Sequence, residues 1–164
     1  MISTRGRTWR CAGLGIVILL FGRGAGAQES ARIQPELRLD ALVGRVTAVQ
    51  AGAGVVIAAG TYVRAAIDGG LGWANGGGAA GLSGRMDATV RFLVDPFFQS
   101  RWAPYGGGGI GARADDGLGS RILLVVVVGL EGPPHRTIVP FVEIGAGGGL
   151  RFGGGVRRAL PSRR

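Results

Sequence analysis

Apolar and polar residues alternate with a period of two along several long stretches of this chain. Between Arg85 and Val94, the residues Met86, Ala88, Val90, Phe92 and Val94 fall on one side. Arg85, Asp87, Thr89 and Arg91 fall on the other, with Leu93 the exception. Side chains two apart share a face of a strand, so the segment reads as a β-strand with one apolar and one charged face. From Tyr62 to Ala74, the residues Val63, Ala65, Ile67, Leu71 and Trp73 oppose Arg64 and Asp68. From Arg121 to Glu131, Ile122, Leu124, Val126, Val128 and Leu130 share a face. The opposite face runs from Arg121 to Glu131 through Leu123, Val125 and Val127. From Thr137 to Phe152, Ile138, Val142, Ile144, Leu150 and Phe152 oppose Glu143 and Arg151.

The pattern predicts strands near 36–43, 46–58, 61–74, 85–95, 102–114, 121–131 and 137–152, with a weak eighth at 153–160. Between them stand a tight turn at Ala58–Gly60, a glycine-rich loop at Asn75–Gly84 and a turn opened by Asp95-Pro96. A loop at Asp115–Ser120 and a sharp Gly132-Pro133-Pro134-His135 turn complete the set. Proline ends a strand there without costing a ladder donor. Regular strands broken by turn signals predict an all-β barrel or sandwich. Several strands are longer than the usual five or six residues and match the roughly 9–11 of a tilted membrane-spanning strand.

The expected fold is therefore an antiparallel up-and-down β-barrel of about eight strands, six of them clear. Its domain spans 36–152, after a polar lead-in at 28–35 and before a basic tail or weak last strand at 153–164. In such a barrel the charged face points into the lumen. Arg64, Asp68, Asp87, Arg91, Arg113, Arg121, Glu131, Glu143 and Arg151 are then candidates for an ion-paired filling, since interleaved charges pair across neighbouring strands. Tyr62, Trp73, Trp102 and Phe152 lie at strand ends, where membrane-interface aromatics belong. Closure also protects the edges of strands carrying Val125-Val126-Val127-Val128, which would template aggregation in an open sheet. The same alternation fits a soluble exported barrel or sandwich binding a small apolar ligand, with the valine faces turned inward.

Composition changes this picture in three ways. Residues 1–27 read as a cleaved signal peptide: Arg5, Arg7 and Arg10 precede the apolar run Leu14–Phe21, and Ala25-Gly26-Ala27 gives a small-x-small cleavage pattern. Cys11, the single cysteine, precedes that apolar run and leaves with it, so no disulfide and no thiolate site is expected. The formal charge of +9 falls to +5 after removal of Arg5, Arg7, Arg10 and Arg23, leaving 15 arginines against 10 acids. Arg157, Arg158, Arg163 and Arg164 hold most of that excess at one end, so no basic face for nucleic acid is expected. Glycine is abundant and costly in helices, which favours the β reading.

The chain resembles the small bacterial outer-membrane β-barrel proteins across the signal segment and most of 36–152. Those proteins end in a strand patterned polar-x-Gly-x-x-apolar-x-aromatic. Gly145–Phe152 supplies Gly147, Leu150 and Phe152 at matching spacing, with Gly145 in the polar position and 12 residues following. The resemblance implies an outer-membrane location, contact with membrane lipid and handling by the barrel-assembly machinery. An extracellular partner would meet the loops 75–84 and 115–120.

Candidate chemistry is sparse. His135 is the only histidine and sits in a turn, so neither a histidine zinc site nor a Ser/His/acid set is indicated. The serines lie outside any G-x-S-x-G elbow. The run Gly106–Gly109 opens no helix, and the chain has no lysine for a phosphate loop. Asp115-Asp116 is too small a set for calcium. Asp68 and Asp87 fall on adjacent strands, but Arg64 and Arg91 beside them point to ion pairing rather than acid/base work. No catalytic residue, metal or cofactor is expected.

Overall fold

The computed structural model describes residues 33–76, 79–97, 99, 101–116 and 119–159. The expected signal peptide, 1–27, and the end of the tail, 160–164, lie outside them. Eight antiparallel strands follow one another around a closed barrel. They are β1 (Ile33–Val43), β2 (Thr47–Ala58), β3 (Val63–Gly76), β4 (Ala79–Leu93), β5 (Ala103–Asp115), β6 (Gly119–Glu131), β7 (Ile138–Ala146) and β8 (Leu150–Arg158). β8 pairs back onto β1, from Glu36↔Arg157 to Val43↔Leu150, so no edge is left between the first and last strands.

The register fixes the barrel's shape. The row of partners starting at Arg38 passes through Gly52, Gly70, Arg85 and Arg113 to Arg121. In the other direction it passes through Gly155 and Phe141 to Glu131, ten residues along the same strand. With a rise of about 3.3 Å per residue and strands about 4.8 Å apart, that stagger tilts the strands by about 40°. Each residue then climbs about 2.5 Å along the barrel axis, so the 13 residues of β6 reach about 30 Å.

Four boundaries differ from the sequence expectation. The stretch 137–152 is two strands, β7 and β8, joined at Gly147–Gly149. Gly148 (φ 69°) and Gly149 (φ 150°) take conformations that side chains resist, so these glycines make a reversal that periodicity alone passed over. Residues 153–158, expected as a basic tail or a weak eighth strand, belong to β8, which starts earlier, at Leu150, and closes the barrel. β1 begins at Ile33, inside the expected lead-in. The loops 75–84 and 115–120 are hairpin ends: the ladder runs out to Gly76↔Ala79 and Asp115↔Gly119. Glycine content predicts loops there, but small residues also pair well when a neighbouring backbone comes close.

The two ends of the barrel are unlike. One, the terminal rim, carries Ile33 and Arg158 and the connections from β2 to β3, β4 to β5 and β6 to β7. At the far rim β1 joins β2, β3 joins β4, β5 joins β6 and β7 joins β8, the first and last of these through residues 44–46 and 147–149. β7 and β8 are short, so β6 ladders to β7 only from Val126 to Glu131. Its first residues are paired to β5 alone.

Inward glycines let the wall coil tightly around bulky side chains. A Cβ on Gly107 or Gly109 would strike the Val90 or Ala88 carbonyl oxygen of β4. Gly109→Ala is expected to lower stability by about 1–3 kcal/mol. Gly106→Ala, with its nearest neighbour 3.7 Å from the new methyl, is expected to be near neutral. The shift in urea midpoint of the folded barrel measures both.

Candidate functional site

The burial alternation along β1 runs exposed, buried, exposed from Ile33 to Val43. The buried positions are Gln34, Glu36, Arg38, Asp40 and Leu42, and the exposed ones are Ile33, Pro35, Leu37, Leu39, Ala41 and Val43. Polar residues inside and apolar residues outside is the reverse of a water-soluble core. The other strands follow suit. Ile67, Leu71 and Trp73 on β3, Met86 and Val90 on β4, and Ile122, Leu124, Val126 and Val128 on β6 all face outward, between 43% and 82% exposed. Among the described residues, the outward positions of the eight strands carry one charged side chain, Arg158 at the terminal rim. Thr47, Asn75 and Ser120 bring polar groups to the outer wall near the far rim.

Eight arginines point inward among the described residues: Arg38, Arg64, Arg85, Arg91, Arg113, Arg121, Arg151 and Arg157. Seven carboxylates meet them: Glu36, Asp40, Asp68, Asp87, Asp115, Glu131 and Glu143. The pairs form one continuous network. At the terminal rim Arg64 donates to Glu131 (2.6 Å), which also binds Arg157. Arg157 passes to Glu36 (2.9 Å), and Glu36 meets Arg91 (3.3 Å). In the middle, Arg38 donates to Asp40 (2.8 Å) and Glu143 (2.9 Å) and pairs with Asp68 (3.0 Å). Arg91 also reaches Asp68 (3.3 Å), and the Tyr105 hydroxyl donates to Glu143 (3.0 Å). Arg151 bridges Glu143 to Asp87 (2.6 Å), and Asp87 binds Arg85. Arg85 reaches Asp40 (2.8 Å) and Gln50 (3.4 Å). Gln50 donates to Ser83 (2.8 Å), Ser83 to Asp115 (2.7 Å), and Asp115 holds Arg113 (2.9 Å) and Arg121 (3.1 Å) at the far rim. Aromatic faces line the same space: Arg157 lies 5.0 Å from the Phe141 ring centre and Arg91 5.8 Å from that of Tyr105.

The charged candidates from the sequence thus lie in one interior. Arg121 is the most exposed of them, with 39% of its side chain accessible. Sequence reasoning missed Glu36, Arg38, Asp40 and Arg157, at the network's centre and terminal end, and left Arg85 and Asp115 out of the interior set. The signal was present in Gln34-x-Glu36-x-Arg38-x-Asp40, alternating with Ile33, Pro35, Leu37 and Leu39. Asp68 and Asp87 are direct register partners, with Arg85 in contact with both. Asp115 and Asp116 diverge: Asp115 faces in, while Asp116 accepts from the Leu82 amide (3.3 Å). Among the described residues, no cluster of three histidine, cysteine or acid side chains is placed to hold a metal ion. His135 is exposed and closes a turn by backbone bonds to Ile138 (2.8 and 3.1 Å).

The four aromatics stand at the two ends. Tyr62 and Trp102 are exposed at the terminal rim, and Trp73 and Phe152 face outward towards the far rim. Gly145–Phe152, matched in sequence to a terminal-strand signal, instead spans the β7–β8 turn, where Ile144 pairs with Phe152. The soluble alternative needs the valine face turned inward around an apolar cavity. Val125, Val127, Val56, Val139 and Phe141 do point inward, but they share the interior with buried arginines and carboxylates, and Val126 and Val128 point out.

No family model and no curated protein matches the chain. Among solved structures the barrel is similar to that of Neisserial surface protein A, with 14% identity and a TM-score of 0.58. The match covers 78% of this chain and 96% of that one. The chain has the fold of a small outer-membrane β-barrel. It is also similar to a structure from a de novo design of transmembrane β-barrels, with 16% identity, a TM-score of 0.52, and coverage of 81% of this chain and 98% of that one.

Proposed function

We propose that the protein spans the outer membrane of a Gram-negative-type bacterium as a closed barrel with a structural or interaction role. In this reading it is neither a pore nor an enzyme. The observation that carries the proposal is the inverted wall: apolar side chains outside, ion-paired arginines inside. Exposed Ile, Leu and Val over the whole barrel wall are costly in water and favourable in lipid. The outward positions of β1 are apolar from Ile33 to Val43, a climb of about 25 Å at about 2.5 Å per residue, which matches the apolar band of such barrels. Eight strands leave an interior just wide enough for side chains to fill, and here arginines fill it. The barrel-assembly machinery would read β8 as the closing strand, rather than Gly145–Phe152. A partner on the far side would meet short hairpin tips instead of the long loops expected at 75–84 and 115–120.

Two measurements test the reading. In cells, the chain is expected in the outer-membrane fraction, migrating faster in gels before heating than after. Recovery in the soluble periplasmic fraction would overturn the membrane placement. In planar bilayers the purified barrel is expected to show no stepwise conductance, because the ion pairs block the path. Stable open channels would overturn the closed interior.

A further inference from the structure

We infer that the terminal rim is a docking surface for anionic phospholipid headgroups. This rests on the membrane placement proposed above and adds a lipid preference to one end of the barrel. Three exposed arginines mark that rim: Arg101 on the β4–β5 connection, Arg136 on the β6–β7 connection and Arg158 at the end of β8. The ion pairs of the described residues belong instead to the interior arginines. The one acid described on this rim outside the interior is Asp95, whose carboxylate accepts the Gln99 amide (3.0 Å).

The far rim lacks this excess. Arg45 and Asp116 are exposed there with opposite signs, and Arg121 is held by Asp115. Charge asymmetry alone would not choose a lipid. The choice comes from where the arginines sit. Tyr62, Phe97 and Trp102 are exposed at the same rim, and the Tyr62 and Phe97 rings meet edge to face at 6.4 Å. Such rings settle at headgroup level in a bilayer. Guanidinium groups at that depth meet phosphodiesters, which they bind through paired N–H donors. A basic ring at headgroup height attracts anionic lipid over a Debye length and weakens with salt.

Trp73 and Trp102 report the two rims separately, since the only other tryptophan is Trp9. The full chain carrying Trp9→Phe, with either Trp73→Phe or Trp102→Phe, is folded into phosphatidylcholine vesicles. These contain equal fractions of brominated phosphatidylglycerol or brominated phosphatidylcholine. The brominated anionic lipid is expected to quench Trp102 with an apparent affinity about two- to fivefold above the zwitterionic one. Trp73 is expected to show no preference. The triple variant Arg101→Gln, Arg136→Gln, Arg158→Gln changes only exposed side chains and is expected to remove the Trp102 preference. Equal quenching of Trp102 by both lipids would overturn the inference, as would a preference that survives the triple variant. Loss of the preference to inorganic phosphate at constant ionic strength would also overturn it, by assigning the rim to free anions. If neither lipid quenches either tryptophan, the membrane placement itself fails.

Discussion

Val126→Arg is expected to destabilise the barrel in a bilayer by about 2–4 kcal/mol, the cost of an arginine on the lipid face near the midplane. Val126 faces outward near the middle of the 13-residue β6 and is 58% exposed. The same substitution on an exposed wall in water would fall within about 0.5 kcal/mol. The sign and size of this one change therefore separate a lipid-facing wall from a solvated one. Ser120→Arg supplies the depth control: it is outward on the same strand but at the far rim, where the cost is about 0–1 kcal/mol. Urea unfolding in phospholipid vesicles, followed by the fluorescence of Trp73 and Trp102, measures both. A Val126→Arg midpoint equal to that of the parent chain would mean that the wall does not face lipid.

The outer wall was legible in the sequence because its rule is local. Period-two alternation in Arg85–Val94 and Arg121–Glu131 needs no knowledge of distant partners, and it gave strands whose faces the barrel keeps. Which of the two faces lies inside the barrel is not a local property. The period is the same whether Val126 or Arg121 points outward, so only closure of β8 onto β1 settles which face lies inside. The Gly147–Gly149 reversal was hidden for a related reason. Parity is preserved across the turn, so Ile144 and Phe152 still fall on one face although they belong to different strands. Composition predicts a loop at Gly76 and Ala79, yet they pair across the end of the β3–β4 hairpin.

The interior was only half legible. Asp68, Asp87, Arg91 and Glu143 stand out against apolar neighbours, but each also has a partner on β1 or β8, at opposite ends of the chain. Arg157 reaches Glu36 across 121 positions of sequence. The glycines are part of the same arrangement. A Cβ on Gly111 would meet the Asp87 carboxylate, and one on Gly153 would meet that of Asp40. The residues that read as featureless in sequence are those that leave room for the charged groups. Glycine runs and arginine content, which look like separate oddities of composition, answer one steric demand of a narrow, charged interior.

Glu143→Gln is expected to be the most damaging change inside the barrel that keeps side-chain shape. The Glu143 carboxylate receives Arg38 (2.9 Å), Arg151 (2.5 Å) and the Tyr105 hydroxyl (3.0 Å), and it lies 3.5 Å from Arg91. Its side chain is fully buried. Neutralising it leaves buried guanidiniums with too few carboxylates, and removing one partner of such a buried pair costs about 3–5 kcal/mol. Arg121→Gln, at the far rim and 39% exposed, is expected to cost under about 1 kcal/mol, because water replaces what Asp115 gave it. Arg151→Met combined with Glu143→Leu should cost less than the sum of the two single changes, since each removes the charge the other would strand. The same vesicle unfolding series reads all five variants, the two single changes of the pair included. If Glu143→Gln unfolds at the parental urea concentration, water rather than ion pairing solvates these charges. The network would then be a wet lining around a path, and the closed reading of the barrel would fall with it.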